Sequence, residues 1–350
     1  MPIASPAQYR AMLNAAQQGG YAYPAVNIAT VTSIHGALRG FAEAKSDGIL
    51  QILPSSGAFA SGSAVRDAAE GAMMLAEAAH RLAKHYDVLV ALHTDHCPPA
   101  LVDSFLEPLL QETEARREAG RNNLFQSHMF DGSSLTFADN LAQAKKLLRR
   151  CAALDIVLEL EIGVVGGEDE LTGKNKGSDP DLYTKPEDML AVYEELRGEG
   201  PYLLATAFGN VHGGIREGTL DLRPEILREG QALLKQRYGD RFNLVFHGGS
   251  GTPASLVRQC VQHGVVKMNM DTDTQYAFSR PIAEHMLKNF DTVLKVDGNI
   301  GEKAGYDPRV WLVKGEQGIC DRVKQACDEL MSAGRTLLTE APPSAPAISL

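Results

Sequence analysis

The sequence lacks the features that mark several classes of protein. Its 34 Lys and Arg residues are outnumbered by 44 Asp and Glu residues, which gives a formal net charge of −10 without a basic stripe. Nucleic acids and anionic membranes attract such a stripe, so we expect neither partner. No run approaches the roughly 18 consecutive apolar residues of a membrane span, and the first residues do not resemble a signal peptide. These absences predict a cytoplasmic protein of metabolism.

Cysteine is also scarce and lies at unrelated positions. The five cysteines are Cys97, Cys151, Cys260, Cys320 and Cys327. An odd number of widely spaced cysteines does not suit the disulfide framework of a small secreted domain. We therefore expect free thiols in a reducing compartment.

Short apolar runs alternate with longer stretches of helical periodicity along the chain. The eight runs span residues 21–29, 48–54, 88–95, 124–131, 156–164, 202–210, 242–248 and 265–271. This alternation is typical of parallel strands joined by helices, and the count of eight favours an α/β fold of the (β/α)8 TIM barrel type. A doubly wound sheet is the alternative. We expect one domain over residues 1–338, with helices near residues 6–18 and 316–337, and a disordered tail over residues 339–350, which are rich in Pro, Ser and Ala.

Histidines and carboxylates follow several of the predicted strands. His96, His212 and His247 each come at or just after the end of a different strand. The strand ends of a barrel meet at one rim, where the active site of this fold forms. Structural zinc sites take their ligands from short local spacings, whereas only the fold can bring these three together. The pattern therefore indicates an open catalytic metal site, although a histidine at a strand end can also serve the structure alone.

A glycine-rich segment follows the seventh strand. The sequence HGGSGTPASL places Gly248, Gly249 and Gly251 before a predicted helix that begins near Thr252. Bare backbone N–H groups and a helix N-terminus bind phosphate, and barrels hold phosphate at the loops after strands seven and eight. The segment NMDTDT, residues 269–274, is expected to supply the other half of this cradle. A plain tight turn is the alternative interpretation.

The chain resembles the class II, zinc-dependent fructose-bisphosphate aldolases, in particular the class IIA subgroup. The resemblance rests on the segments YAYPAVN, ALHTDHC, FQSHMFDGS, LELEIGVVGGE, LYTKPED, ATAFGNVHG, VFHGGSG, KMNMDTDTQYAF and YDPRVWL, in this order. It covers nearly the whole chain. It implies a (β/α)8 barrel, usually a homodimer, that cleaves fructose 1,6-bisphosphate reversibly into dihydroxyacetone phosphate and glyceraldehyde 3-phosphate in glycolysis and gluconeogenesis.

The resemblance also implies roles for residues at the metal. His96, His212 and His247 would hold the zinc ion. Asp131 and Glu161 match positions that hold a second divalent metal or an alternate position of the zinc, or they orient the histidines. Lys267 is interpreted as structural or as charge support, because a zinc enzyme needs no Schiff-base lysine.

Further positions match groups that contact the substrate or handle protons in this family. Asp95 would move the proton on the C4 oxygen of a phosphorylated ketose. Asn27 would contact the substrate, and Arg309 would reach its second phosphate, across the dimer. A monovalent cation, Na⁺ or K⁺, would bind main-chain oxygens near Val211 and Gly213. The implied substrate-binding set also includes Gly213, Gly248, Gly249, Ser250, Asn269, Met270, Asp271 and Thr272.

Two segments depart from the family pattern. Related enzymes read GGEED in the loop after strand five, and here the position of the proton-abstracting base falls on Asp169, with Glu168 and Glu170 as alternatives. After strand two, Leu53 replaces a serine that contacts the substrate, and Pro54 follows it. The second departure leaves open a paralogue that cleaves another ketose phosphate, such as tagatose or sedoheptulose bisphosphate.

A zinc-dependent barrel hydrolase is a remote alternative from a different class. Such an enzyme uses metal-bound water as its nucleophile. The phosphate cradle argues against it, as does the lack of an HxH pair after the first strand, where this chain reads AVNIA.

Overall fold

Eight parallel strands close into a barrel in a computed structural model that describes residues 2–168, 175–176, 183–213, 221–294 and 300–338. The barrel strands are β1 (Tyr23–Asn27), β2 (Gly48–Ile52), β3 (Val90–Thr94), β4 (Ser127–Phe130), β5 (Val157–Ile162), β8 (Tyr202–Thr206), β10 (Leu244–Phe246) and β11 (Val265–Met270). Their order around the barrel is β1-β11-β10-β8-β5-β4-β3-β2. All eight predicted strands and the TIM barrel are confirmed, and the doubly wound sheet is excluded because the sheet closes on itself.

A smaller sheet of three strands accompanies the barrel. It consists of β6 (Gly166–Glu168), β7 (Asn175–Lys176) and β9 (Val211–His212), in the order β7-β6-β9. The backbone of β9 pairs in parallel with β6, so that His212 lies opposite Gly167. This sheet was not predicted from the sequence. It places the segment that carries His212 next to the segment that follows β5.

Helices surround the barrel and lie between its strands. They are α1 (Pro6–Gly19), α2 (Val31–Ala44), α3 (Pro54–Ala60), α4 (Ala68–Leu82), α5 (Glu107–Glu118), α6 (Phe137–Ala152), α7 (Pro186–Leu196), α8 (Pro224–Tyr238), α9 (Ala254–Gln262), α10 (Thr272–Lys288), α11 (Phe290–Val293), α12 (Lys303–Tyr306) and α13 (Pro308–Glu329). Short helical turns also occupy Ala83–His85, Pro99–Leu101 and Val102–Leu106. No described helix combines the length and apolar character needed to cross a lipid bilayer.

The terminal helix begins earlier than its periodicity indicates. We expected it over residues 316–337, and α13 begins at Pro308 and ends at Glu329. Asp307 caps its N-terminus by accepting a hydrogen bond from the backbone N–H of Arg309. Proline is favourable in the first turn because the missing N–H has no partner there. The capping signal Asp307-Pro308 was therefore the better guide to this helix than its apolar pattern. The predicted tail, residues 339–350, lies outside the described residues.

Alternation along the strands separates two chemical environments. In β5, Leu158, Leu160 and Ile162 point outward into the apolar layer beneath the helices. Glu159 and Glu161 point the other way, into the barrel, as successive residues of a strand must. The lower end of the barrel is apolar and is closed by α1, whose Tyr9, Met12 and Leu13 pack against inward-facing strand residues. The polar interior therefore lies at the upper end, where the strands finish.

Close packing of α2 against α13 depends on two glycines one turn apart. A Cβ atom added to Gly36 would lie 2.7 Å from the backbone oxygen of Glu316. One added to Gly40 would lie 2.6 Å from the Cβ of Val323 and 2.9 Å from the backbone oxygen of Cys320. Since neither the branched side chain of a packed helix nor its backbone yields easily, a methyl group at either position overpacks the interface.

We predict that Gly40→Ala lowers the free energy of unfolding by about 1–3 kcal/mol, the usual cost of overpacking. The substitution improves helix propensity by up to about 1 kcal/mol, so a net loss isolates the steric effect. Val31→Ala, at a half-exposed site on the same helix, is the control and should change stability by less than about 0.5 kcal/mol. Urea unfolding measures both. An unchanged or increased stability of Gly40→Ala would show that α2 and α13 are not in close contact.

Candidate active site and metal centre

A polar cavity opens at the upper rim of the barrel, where the strands end. Its wall is formed by Asp95, His96, Gly213, Gly248, Ser250, Asn269, Asp271 and Thr272. All eight residues belong to the set that the sequence analysis singled out. They come from the ends of β3, β10 and β11 and from the segment after β9, so barrel closure is what brings them together.

Three side chains in and beside this cavity form a candidate metal site. His96, Glu161 and His247 each offer one ligand atom, and these atoms lie within 4.8 Å of one another. The rings of His96 and His247 meet edge to face, with their centroids 4.8 Å apart. Nδ1 of His247 is 2.8 Å from Oε2 of Glu161. Two imidazoles and a carboxylate are a donor set that suits zinc.

Carboxylates behind the histidines fix the orientation of both rings. Nδ1 of His96 is 2.9 Å from Oδ2 of Asp131, whose other oxygen accepts a hydrogen bond from the backbone N–H of Ser133 at 3.0 Å. Nε2 of His247 is 2.8 Å from Oε1 of Glu159. Carboxylates in this position hold a metal-binding imidazole in place and increase its basicity. In this geometry Asp131 therefore supports His96, whereas Glu161 stands among the candidate ligands.

The charges around the cluster favour a cation. Burial opposes ionisation of Glu159, but Lys267 and His93 outweigh it and hold the pKa of Glu159 well below its ordinary value. Burial likewise opposes the charge of Asp131, and the contact with His96 keeps the pKa of Asp131 low. With Asp95 and Glu161, these groups concentrate buried carboxylates in one place. A divalent ion would neutralise this charge, so the residues present fit zinc.

Neighbouring carboxylates raise the pKa of both histidines of the cluster. Burial disfavours the imidazolium form of His96, but the charge of Asp95 and the contact with Asp131 outweigh it, so the pKa of His96 is raised well above its ordinary value. For His247 the two contacts with Glu159 and Glu161 overcome burial in the same way and raise its pKa. Protons and metal ions compete for these nitrogens, so metal binding must weaken as the pH falls.

Asp95 is held rigidly by amide groups from three strands. Its carboxylate accepts hydrogen bonds from Asn27 at 3.0 Å, from Gln51 at 2.9 Å and from Asn269 at 3.0 Å. Burial opposes its charge, but the charges of His96 and Lys267 outweigh this and lower its pKa. A fixed, ionised carboxylate on the wall of a polar cavity is placed to exchange a proton with a bound hydroxyl group.

The segment after β10 approaches the smaller sheet closely. Gly248 has a φ of +61°, and a Cβ atom there would lie 2.4 Å from the backbone oxygen of Val211. Only glycine meets both demands at low cost. Nearby, α10 begins at Thr272, and Oγ of Ser250 accepts a weak hydrogen bond from the backbone N–H of Asp273 at 3.4 Å. A helix N-terminus beside a glycine turn suits a phosphate group.

Some predicted site residues lie outside the cavity wall. Gly249 lines a neighbouring cavity, and Met270 is fully buried at the end of β11. Arg309 has an 80% exposed side chain that forms an ion pair with Asp307 at 2.7 Å. The side chain of His212 and the whole of Asp169 lie outside the described residues. The roles assigned to these residues stay predictions.

Gln51 was given no role from the sequence, and Glu159 was noted only as one of the polar residues at the strand ends. Gln51 is an inward-facing amide within the apolar strand GILQI, and it bonds to the catalytic candidate Asp95. Glu159 joins His247 to Lys267, whose Nζ is 2.9 Å from Oε2 of Glu159. A polar residue at an inward position of an otherwise apolar strand is the signal that would have indicated both.

Comparisons with known proteins identify the family of the chain. A family model described as "Fructose-bisphosphate aldolase class-II" matches residues 7–335. The fructose-bisphosphate aldolase of Streptomyces coelicolor is 49% identical over 344 residues, which cover 96% of this chain and 100% of the relative. That of Corynebacterium glutamicum is 46% identical over 343 residues, with coverages of 96% and 99%. The crystal structure of fructose-bisphosphate aldolase from Campylobacter jejuni has a TM-score of 0.82 at 33% identity and covers 95% of this chain and 97% of that one.

We predict that His247→Ala reduces the zinc content of the purified protein to background. Loss of an orienting residue typically weakens metal binding about 10–100-fold, and loss of a ligand should exceed that. His96→Ala should behave in the same way, whereas His128→Gln, which changes a buried histidine outside the cluster, should retain zinc. Metal content is read by elemental analysis after dialysis. Full zinc occupancy in either alanine variant would mean that the metal binds elsewhere.

The buried histidine His128 should make the protein sensitive to acid. Burial lowers its pKa from 6.5 to about 3. Between these pH values His128 binds a proton in the unfolded chain but stays neutral in the folded chain. The free energy of unfolding therefore falls as the pH falls. In metal-free protein, wild type should lose about 1.4 kcal/mol per pH unit more than His128→Gln between about pH 6 and 4.

Urea unfolding at several pH values measures this difference. His35→Gln, a change on α2 outside the barrel, is the control. The free energy of unfolding of this variant should change with pH as that of wild type does. Parallel pH profiles for wild type and His128→Gln would contradict the buried, neutral state of His128.

Proposed function

The chain belongs to the class II fructose-bisphosphate aldolase family, and we propose that it is a carbon–carbon lyase that cleaves fructose 1,6-bisphosphate reversibly into dihydroxyacetone phosphate and glyceraldehyde 3-phosphate. One observation carries this proposal. His96 of the candidate metal cluster, the carboxylate of Asp95 and the glycine-rich segment proposed as a phosphate cradle line a single cavity, with Glu161 and His247 beside it. Aldol cleavage of a phosphorylated ketose needs all three, whereas the hydrolase alternative has no use for the cradle.

We propose that zinc is held by His96, His247 and His212, with Glu161 as a ligand or as part of a second divalent site. When bound, the ion supplies positive charge that polarises the ketone and stabilises the negative charge developing beside it on cleavage. Asp131 and Glu159 keep the two described imidazoles oriented toward that place. Carbonyl oxygens near Val211 and Gly213 are proposed to bind a monovalent cation.

Asp95 is proposed as the group that handles the proton at C4. On cleavage it takes the proton of the C4 hydroxyl as the C3–C4 bond breaks, and on condensation it returns that proton. Three amides fix the carboxylate within reach of one substrate atom. Holding a base in a fixed orientation toward the reacting atom accounts for much of the rate increase that it provides. The proton at C3 would be moved by a carboxylate of the loop after β5, Asp169 or its neighbours Glu168 and Glu170.

The phosphate of the dihydroxyacetone half is proposed to lie in the cradle. Gly213, Gly248 and Ser250, together with Asn269, Asp271 and Thr272, line the cavity where α10 begins. Backbone N–H groups there bind an anion without a change of conformation. Gly249 and Met270 would contribute through the backbone of the same two loops.

The opposite end of the substrate meets a segment that differs from the family pattern. Leu53 is only 7% exposed and precedes α3, which begins at Pro54, so its side chain offers no ligand to a phosphate. Ser56, on the first turn of α3, lines a cavity together with Asn27 and Asp271. We propose that the hydroxyl of Ser56 replaces that of the missing serine, which leaves fructose 1,6-bisphosphate the favoured substrate over other ketose bisphosphates.

A cytoplasmic homodimer is proposed as the working form. Exposed apolar side chains gather on α10, α11 and the segment before α12, among them Leu287, Phe290 and Ile300, with exposed fractions of 75%, 51% and 82%. A second copy of the chain would cover them. Arg309 is the second residue of α13, near this surface, and its side chain is 80% exposed, so we propose that it serves the partner's substrate.

We predict fast cleavage of fructose 1,6-bisphosphate by the zinc-loaded protein and loss of more than about 99% of the rate after complete removal of the metal, because little else offsets the developing negative charge. Steady-state rates on fructose, tagatose and sedoheptulose bisphosphates, each with and without a chelator, provide the test. Added zinc should restore the rate.

Two results of this experiment would count against the proposal. Cleavage that survives complete removal of the metal would contradict the zinc mechanism. Weak cleavage of fructose 1,6-bisphosphate beside fast cleavage of another ketose bisphosphate would contradict the assigned substrate and would direct attention to Leu53 and Ser56.

A further inference from the structure

A second cavity lies at the end of the barrel opposite the active site. Its volume is about 470 Å³, and its walls are formed by the C-terminal end of α1, by α8, and by the segments that lead into β10 and β11. This volume falls within the range of about 300–1,000 Å³ typical of small-molecule sites. The cavity faces the N-terminal ends of the strands, so it shares no residue with the catalytic cavity.

The charge of this basal cavity is opposite to that of the whole protein. Arg228, Lys235 and Arg241 line it together with the amides of several glutamines, and none of its lining residues within the described part of the chain is acidic. The chain as a whole carries a net charge of −10. Three cations around one concave surface raise the local concentration of anions, because a low-dielectric wall focuses their field.

These cations are weakly compensated by neighbouring carboxylates. Arg228 pairs with Glu229 at 3.4 Å, and both side chains are more than half exposed, so the pair contributes little. In the described part of the chain, neither Lys235 nor Arg241 forms an ion pair. Burial and the charge of Arg228 together lower the pKa of His263, so this ring is neutral at pH 7 and can donate a hydrogen bond.

The floor of the basal cavity is rigid. The side-chain amide of Gln231 bonds to both backbone groups of Phe242, accepting from its N–H at 3.0 Å and donating to its oxygen at 2.9 Å. Gln17 reaches the same oxygen at 3.3 Å from α1. Gly264, with a φ of +101°, allows close contact, since a Cβ there would lie 2.1 Å from Nε2 of Gln231. These bonds fix the positions of the elements that carry the cations.

We infer that the basal cavity binds a small molecule that carries at least two phosphate groups. Arginine matches the planar geometry of phosphate oxygens, and two arginines and a lysine around one cavity exceed what a single monoanion needs. A concave site of this volume favours a free metabolite over an extended polymer. This site is additional to the aldolase reaction, and its test does not depend on that activity.

Titration calorimetry of the zinc-loaded protein with inorganic pyrophosphate tests the inference. The double variant Arg228→Gln/Arg241→Gln should bind pyrophosphate at least about tenfold more weakly than wild type at the same salt concentration, since it loses two charge-assisted contacts. Arg237→Gln is the matched control on α8, because Arg237 faces Glu194 and does not line the cavity, and it should change the affinity less than about twofold.

Pyrophosphate also has access to the catalytic cradle, and the variants separate the two sites. Binding that is unchanged in the double variant would place pyrophosphate elsewhere and overturn the inference. The cleavage rate of the double variant should equal that of wild type. That result would show that the fold is intact and that binding at the basal cavity can be tested separately from the aldolase activity.

A series of probes tests the number of phosphate groups. Affinity for the basal cavity should rise from inorganic phosphate to pyrophosphate and again to tripolyphosphate, and should fall with added salt. Equal affinities along the series, or no binding of any of the three at millimolar concentration, would overturn the inference.

Discussion

The buried ion pair between Lys267 and Glu159 is the interaction on which the rest of the site depends. Both side chains are fully buried, and Nζ of Lys267 is 2.9 Å from Oε2 of Glu159. Removing two charges from water costs several kcal/mol, and only good geometry with further hydrogen bonds offsets that cost. Here Glu159 also contacts His247, and Lys267 donates to Asn269 at 2.6 Å. Because Asn269 in turn holds Asp95, one chain of contacts connects the metal cluster to the proton-transfer group.

This arrangement explains why the site is polar, rigid and anionic at once. Apolar side chains that pack against α1 fill the lower barrel, so the polar interior is confined to the layer beneath the upper rim. Each carboxylate there has a fixed partner, which reduces the reorganisation that bond cleavage would otherwise require. The concentration of negative charge around His96 and His247 then makes a divalent cation the natural occupant. At the opposite end of the molecule the sign of the charge is reversed, around Arg228 and Arg241.

Much of this molecule could be predicted from the sequence. Eight apolar runs indicated the barrel, and polar residues at strand ends, such as His96 and His247, indicated the rim on which the site forms. Contacts between side chains on different strands could not be predicted, because they depend on the register that the strands adopt when the barrel closes. Gln51 and Asp95 meet only because β2 and β3 pair with Gln51 opposite His93. The helix α3 was missed for a different reason: Pro54 and two serines signal a turn as readily as a helix start.

Anomalous diffraction at the zinc absorption edge, from crystals of the zinc-loaded protein, would show directly where the metal binds. We expect one strong peak at bonding distance, about 2.0–2.2 Å, from the side chains of His96 and His247, with Glu159 and Asp131 behind them. A peak at a cysteine or at the protein surface, with His96 and His247 unliganded, would contradict this expectation.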